Sequence, residues 1–278
     1  MAVMEAETID EREPLVRLTK DLKAASAQLG RHEARYLVDL YYQMQENRKR
    51  ANNQIRATSE AGEPGQLVTW VAANMGVIEK DIRSALAAYA EGNRLGRWCL
   101  SIYGIGPVIT AGLVAHIDIE RAPTAGHIWR FAGLDPTVTW NKGEKRPWNA
   151  DLKVICWKAG DSFVKFSNRP ECLYGRLYRE RKTQEVERNE AGMFAEQAAR
   201  ALAGKKYGKD TEAFKAYTVG KLPPAHLDAR ARRFAVKLFI SHFQAVAYEL
   251  HYGRKPPFPY VIEHMGHGHM IQPPECPE

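Results

Sequence analysis

The segment from Trp98 to Ile117 contains two glycines, Gly104 and Gly106, between short apolar stretches. Glycine permits a turn too tight for larger side chains, and Pro107 suits the first turn of a following helix. The pattern predicts a helix-hairpin-helix whose turn exposes main-chain amides. Because amides at a helix N-terminus attract anions, those of Gly104, Ile105 and Gly106 are candidate contacts for a DNA phosphate. The alternative is that the glycines only close a connection between core helices.

A second group of candidates combines aromatic and basic side chains. Trp140 and Trp148 flank three cations, and aromatic rings can stack on bases while cations meet phosphates. The alternative is that both tryptophans are partly buried beneath their loop. The cations predicted to contact DNA are Arg97, Lys142, Lys145, Arg146 and Lys153.

The positive charge of the chain is concentrated around these candidates. Residues 94–182 hold 15 Lys and Arg against 8 Asp and Glu, which accounts for the whole formal net charge of +7. A basic segment attracts a phosphate backbone without reading its sequence. The alternative is a solvated basic face without a ligand. The coincidence of the positive charge with the hairpin favours DNA binding.

Metal chemistry has weaker support in the sequence. Five carboxylates are of the type that binds Mg²⁺, but surface or capping roles are expected for them: Asp118, Glu120, Asp135, Asp151 and Asp161. The tail contains ligand types that suit zinc, in a Gly- and Pro-rich segment without a framework: His264, His267, His269 and Cys276. No metal and no cofactor is therefore expected.

The spacing of apolar residues predicts a mainly α fold. Long helices are expected over 15–57, with a break near Gly30, and over 66–89. Further helices are expected over 149–166, over 168–203 and from about residue 225, with a short strand at 137–140. The predicted organisation is a helical arm over 1–93, a helix-hairpin-helix domain with a long helical insertion over 94–253, and a Pro- and His-rich tail over 254–278. The amphipathic arm is a candidate surface for a homodimer.

Composition indicates a cytoplasmic protein. No unbroken apolar run reaches the ~18 residues that suggest a membrane span. The acidic opening of the chain lacks the basic and apolar regions of a signal peptide. We therefore expect reduced cysteines and no membrane partner.

Two glycine-centred blocks together resemble the C-terminal domain of DEDD-type insertion-sequence transposases and Piv-type DNA invertases. The first block is Gly104-Ile105-Gly106-Pro107 with the helix after it, and the second is His127 to Phe131 followed by Ala-Gly-Leu-x-Pro. A basic loop with Arg146 and Asn149 follows, and the resemblance covers roughly residues 100–182. The segment from Arg232 to Leu238 is also similar to the last helix of that domain.

The chain departs from this family in two respects. Family members begin with a nuclease-like domain whose strands carry four acidic metal ligands, whereas the first 95 residues here show helical spacing, so that domain is expected to be lacking. The family also places a serine that attacks DNA in the loop after Gly-Leu-x-Pro. That loop contains no serine here, and Thr139 is the nearest hydroxyl, with no visible base.

The sequence therefore favours a DNA-binding protein related to these transposases, acting in transposition or recombination as a non-catalytic or degenerate member. Its contacts are expected to be largely with the phosphate backbone, and RNA is a second candidate partner. One alternative is an active transposase or recombinase that obtains its missing half from a partner and uses Thr139 as nucleophile. Another is a helical scaffold of a mobile element or phage.

Overall fold

A computed structural model describes residues 17–63, 65–204, 206–257 and 271–275 of the chain. In these ranges the chain forms eleven α-helices and two 3₁₀ turns, without any strand, which confirms the predicted mainly α fold. None of the helices in this part of the chain combines the length and the apolarity needed to cross a membrane.

The first long elements form an antiparallel helical pair. Helix α1 spans Lys20–Ala25, and a 3₁₀ turn and Gly30 separate it from α2, which spans Arg31–Glu60. Helix α3 spans Gln66–Glu91 and packs along α2. Arg48 on α2 donates to the half-buried carboxylate of Glu79 on α3 at 2.6 Å. The break near Gly30 and both long helices are confirmed, whereas a homodimer through them stays a prediction.

The predicted helix-hairpin-helix consists of α4, Arg94–Ser101, and α5, Pro107–His116. Asn93 begins α4, because its side chain accepts the amide of Gly96 at 2.7 Å. Pro107 occupies the first turn of α5, where its missing N–H leaves no bond unmade. The turn that contains Gly104 and Gly106 therefore has a helix on each side, and its assignment as a DNA-binding helix-hairpin-helix stays a prediction.

Six further helices complete the fold. They are α6 (Ala125–Phe131), α7 (Ala150–Lys165), α8 (Leu173–Glu190), α9 (Ala195–Gly204), α10 (Glu212–Thr218) and α11 (Pro224–Tyr252). Two expectations were wrong here. The single helix expected over 168–203 is two helices, because the chain turns at Gly192 with a φ of +75°. The segment 137–140 contains a turn and no strand, because the Asp135 carboxylate accepts both the amide and the hydroxyl of Thr137.

A large hydrophobic cluster joins α2 to α8 and α11, and a smaller one packs α9 and α10 against the start of α11. The largest members of the large cluster stack around α11, where Phe239 contacts Trp98, Phe163 and Tyr174. The large cluster also contains residues of α2 and α3, so the long helical pair shares the core of the helix-hairpin-helix: Ala34, Val38, Ile82 and Leu86. Close packing in this core fixes how α7 and α11 lie against each other. These two helices carry Lys153, Arg233 and Lys237 of the candidate site described below.

The segment 271–275 returns to the core. The indole N–H of Trp98 donates to the carbonyl of Pro274 at 2.9 Å. The Nε2 atom of His242 lies 2.8 Å from the carbonyl of Ile271, so this nitrogen is the donor and Nδ1 accepts from the Tyr174 hydroxyl. Burial lowers the pKa of His242, although the Ile271 carbonyl opposes the shift. The zinc-type residues of the tail, His264, His267, His269 and Cys276, lie outside the described residues.

Candidate nucleic-acid interface

The hairpin places its two glycines in different conformations. Gly104 has a φ of +92°, and a Cβ there would lie 3.2 Å from Oγ of Ser162 and 3.3 Å from the ring of Phe166. Gly106 is extended, with a φ of −95° and a ψ of 176°, and no atom lies within 4 Å of a Cβ built on it. The expectation that both positions are too tight for a side chain was therefore wrong at Gly106, because its backbone is ordinary and its surroundings are open.

The hairpin amides are only partly available. The amide of Ile105 donates to the carbonyl of Ile102 at 2.9 Å and is therefore already satisfied. Within the described ranges the amides of Gly104 and Gly106 have no protein acceptor, and both residues are half-buried. Two of the three proposed amides can therefore reach an anion without breaking a bond of the turn.

The difference between the glycines predicts unequal effects of alanine. We expect Gly104→Ala to lower the free energy of unfolding by about 1–2 kcal/mol, because L-residues pay that cost for left-handed backbone. Gly106→Ala should stay within about 0.5 kcal/mol of the parent, as substitutions away from special features do. Urea unfolding of both variants measures this, and equal losses at the two positions would contradict the assigned geometry.

The loop before α7 forms a closed, ordered turn around Trp140. The indole N–H of Trp140 donates to the carbonyl of Glu144 at 2.8 Å. The amide of Asn141 donates to the Glu144 carboxylate at 3.2 Å, and its side-chain amide does so at 3.3 Å. At the base of the loop, the amide of Asn149 donates to the carbonyl of Phe131 at 2.8 Å. The loop is thus held at its tip and at its base.

Trp148 lies deeper than Trp140 and supports it. The two rings meet edge to face, with centroids 6.3 Å apart. A Cβ on Gly133, whose φ is +64°, would come within 2.8 Å of Cγ of Trp148, so this glycine makes room for the ring. Trp148 is half-buried, whereas 39% of Trp140 is exposed. The two alternatives drawn from the sequence therefore apply to different residues, with Trp148 partly buried and Trp140 presented to solvent.

Four cations lie on this loop and on the helices beside it, and we call them the cationic cluster: Arg146, Lys153, Arg233 and Lys237. The guanidinium of Arg146 lies over the Trp140 ring at 5.2 Å, and the ammonium of Lys153 lies over the Trp148 ring at 4.1 Å. On α11, the ammonium of Lys237 lies 3.9 Å from the ring centroid of Trp129. Arg233 precedes Lys237 by one helical turn, so both project from the same face of α11.

The members of the cationic cluster repel one another. Burial, followed by the nearby charges of Arg233 and Arg146, lowers the pKa of Lys153. Burial also lowers the pKa of Lys237, with Asp135 opposing the shift and Arg233 adding to it. Across the described ranges, no carboxylate lies within 4.0 Å of a nitrogen in these four side chains. Among the described residues, the cluster is thus a set of cations that form no direct ion pair with a carboxylate.

Other cations on α8 and α11 differ from the cationic cluster, because they pair with acidic side chains. The buried carboxylate of Glu185 pairs with Arg230 and Arg181 at 2.6 Å and with Arg188 at 3.8 Å. Asp228 in the same way pairs with Lys182 at 3.0 Å and with Arg232 at 2.8 Å. These cations join α8 to α11 and are occupied in doing so. Arg232 and Arg233 are adjacent in sequence, yet only Arg233 belongs to the cationic cluster.

The hairpin and the cationic cluster lie at opposite ends of α7. The hairpin contacts Ser162 and Phe166 near the end of the helix, whereas Lys153 lies in its first turn. At 1.5 Å per residue, Lys153 and Ser162 are about 14 Å apart along the axis, and their nine-residue separation turns them to opposite sides. The structure therefore does not bring the two groups of predicted contacts into one surface.

The remaining predicted residues are placed as follows. Lys142 and Lys145 are exposed on the loop, and Arg97 on α4 donates to the carbonyl of Glu91 at 3.0 Å. Thr139 is exposed, and among the described residues it has no hydrogen-bonding partner that could act as a base. No group of three or more His, Cys, Asp or Glu in the described residues is arranged to hold a metal ion.

Arg233 and Lys237 were missed as site residues by sequence reasoning. Their i, i+4 spacing was a usable signal, because it places two cations on one face of the helix. What the spacing does not show is which loop that face meets. The contact between Trp129 and Lys237, in which the indole N–H donates to the Lys237 carbonyl at 3.0 Å, settles this.

Comparison with known proteins adds one finding. Residues 97–145 match the model of the transposase IS116/IS110/IS902 family. The matched segment contains the hairpin, α5, α6 and the loop with Trp140, and it ends one residue before Arg146. No curated protein and no solved structure matched the chain. The chain therefore contains a segment related to this transposase family.

Proposed function

We propose that this chain is a DNA-binding protein of transposition or recombination, which contacts the phosphate backbone through the cationic cluster. The observation that carries the proposal is a group of four cations that pair with no carboxylate in the described part of the chain, next to an exposed tryptophan and a transposase-related segment. We further propose that residues 94–253 correspond to the C-terminal domain of DEDD-type transposases.

The electrostatics of the cluster favour a phosphate ligand. Besides burial, the charges of Arg233 and Arg146 lower the pKa of Lys153, and a bound phosphate would replace this repulsion by attraction. The N-terminus of α7 adds the positive end of its dipole at the same place. Asn149 caps the helix by accepting the amide of Leu152 at 2.7 Å, which fixes where α7 begins.

The hairpin would supply a second, weaker contact. Its open amides at Gly104 and Gly106 are neutral donors, so they add less to salt-dependent binding than the cations do. Because they lie at the other end of α7, one anion cannot reach both groups. We therefore assign the main affinity for DNA to the cationic cluster.

We propose binding without strand cleavage by this chain alone. Thr139 is a secondary alcohol, and a hydroxyl needs a neighbouring base to attack a phosphodiester at neutral pH. Ser162, the hydroxyl nearest the hairpin, is occupied in donating to the carbonyl of Gly104. These placements support a binding role more than that of a nucleophile.

Fluorescence anisotropy with labelled duplexes of two unrelated sequences tests the proposal. Over about 50 to 200 mM salt, log affinity should fall against log salt concentration with a slope of about −4, because each neutralised phosphate contributes about −0.9. The two sequences should give similar affinities, because contacts with the backbone carry no sequence information. A salt-independent signal or absent binding would contradict the function.

Recovery of the labelled strands after incubation with Mg²⁺ distinguishes binding from cleavage, and cut strands would favour the active alternative.

A further inference from the structure

We propose that Trp140 is a stacking platform for an unpaired nucleobase, so that the site prefers DNA with a single-stranded segment over continuous duplex. This inference rests on the proposed function and names the class of DNA that the same site takes. It depends on how the indole of Trp140 is held and on which of its surfaces remain free.

The polar atom of the Trp140 indole is not available to a ligand. Its N–H donates to the carbonyl of Glu144, within a turn that Asn141 and Glu144 close by two further hydrogen bonds. What the exposed part of this side chain offers is therefore ring surface. A ring fixed by its own loop loses little conformational freedom when a base stacks on it, which favours stacking.

The charges around the ring fit a nucleotide rather than an apolar ligand. Arg146 lies over the Trp140 ring, and Lys153 lies over the adjacent ring of Trp148. A nucleotide presents a planar base close to an anionic phosphate. The Trp140 ring and the Arg146 guanidinium, 5.2 Å apart, offer one partner for each. Stacking beside a basic groove is how proteins bind single strands without reading sequence.

Duplex DNA cannot use this platform along its length. In a continuous helix each base is covered on both faces by its neighbours, so only a terminal, unpaired or extruded base has a free face. The cationic cluster can still meet duplex phosphates. Two binding levels are therefore expected, one common to all DNA and one added when an unpaired base is present.

Two other exposed tryptophans provide matched controls. Trp157 on α7 is 53% exposed, and Trp70 on α3 is 52% exposed, so both are more open than Trp140. Neither lies in the loop that carries the platform, and the ammonium of Lys158 lies over both the Trp157 and Tyr42 rings. Exposure alone would make all three equivalent, whereas the proposal distinguishes Trp140.

The test compares a blunt duplex with the same duplex carrying a single-stranded overhang. We expect the full chain to bind the overhang about tenfold more tightly, because stacking one base on an aromatic side chain has that order of effect. Trp140→Ala should bring the ratio of the two affinities to about one, whereas Trp157→Ala and Trp70→Ala should preserve the tenfold ratio. Trp140→Phe should retain part of the preference.

A fluorescent base analogue at the first unpaired position gives an independent readout. Its emission should be quenched on binding to the parent chain and not on binding to Trp140→Ala. Equal affinity for both probes, with duplex binding intact, would overturn the stacking inference and leave the proposed function standing. Equal weakening of both probes by Trp140→Ala would also overturn it, since that result indicates a structural role. Failure of the parent chain to bind either probe would overturn both proposals.

Discussion

Replacing all four members of the cationic cluster by glutamine is expected to lower duplex affinity by about three to four powers of ten near 0.1 M salt. Each lost phosphate contact removes a released counter-ion, which is worth roughly tenfold at that salt concentration. The slope of log affinity against log salt concentration should become shallower by about 3 to 4. Anisotropy with a labelled duplex at several salt concentrations measures both quantities for Arg146, Lys153, Arg233 and Lys237 together.

A second quadruple variant controls for net charge. Four cations with acidic partners elsewhere on the surface are replaced in the same way: Arg17, Lys49, Arg200 and Lys221. Both variants change the formal net charge from +7 to +3, because four positive charges are removed. The control should lose less than about tenfold in affinity, since its charges lie outside the site. Equal losses would show that overall charge, rather than this cluster, binds DNA.

Removing the carboxylate of Glu185 is expected to cost about 3–5 kcal/mol of unfolding free energy, because it leaves cations without their buried partner. Glu185 is fully buried and pairs with Arg181, Arg188 and Arg230, which connect α8 to α11. Two of these guanidinium groups, those of Arg188 and Arg230, also lie over the Phe194 ring, so the ion cluster and the packing depend on each other. Urea unfolding of Glu185→Ala measures the loss.

Glu180 on the same helix is the control for this prediction. It is exposed, with its carboxylate 4.0 Å from Arg176, and Glu180→Ala should change stability by less than about 0.5 kcal/mol. A similar loss in both variants would contradict the assigned role of Glu185. Because α11 also carries Arg233 and Lys237, Glu185→Ala should in addition weaken DNA binding through loss of the fold.

Acid should remove the contribution of Glu185. Burial alone would raise its pKa, but the hydrogen bond and charge of Arg230, with the charge of Arg181, lower it below the ordinary value. An acid whose pKa is lowered on folding stabilises the protein fully above its unfolded pKa, near 4.3. That stability is lost as the pH falls through the lower pKa of the folded state. As the pH is lowered through this range, the free energy of unfolding of Glu185→Ala should therefore fall less steeply than that of the parent.

Local features of the sequence predicted the elements well, because short-range interactions fix them. Gly30 separates α1 from α2, Pro107 begins α5, and the Asn149 side chain caps α7 through a residue three positions on. The errors arose where local patterns were ambiguous. The Arg-, Glu- and Ala-rich composition over 168–203 favours helix throughout, yet the chain turns at Gly192 to pack α9 on a small second cluster. Gly106 looked equivalent to Gly104, although only the conformation of the folded turn tells them apart.

The sequence by itself determined the helical fold, the hairpin, and the loop in which Trp140, Arg146 and Trp148 lie close together along the chain. Only the tertiary structure decided that Arg233 and Lys237 join this loop, because packing of α11 against α6 and α7 brings together residues about 80 positions apart. It likewise decided that the hairpin stands apart from the cations, because the rotation of α7 turns Lys153 and Ser162 to opposite sides. Spacing along a chain fixes neighbours within a few turns, whereas the faces that helices present to one another follow from burial of the whole core.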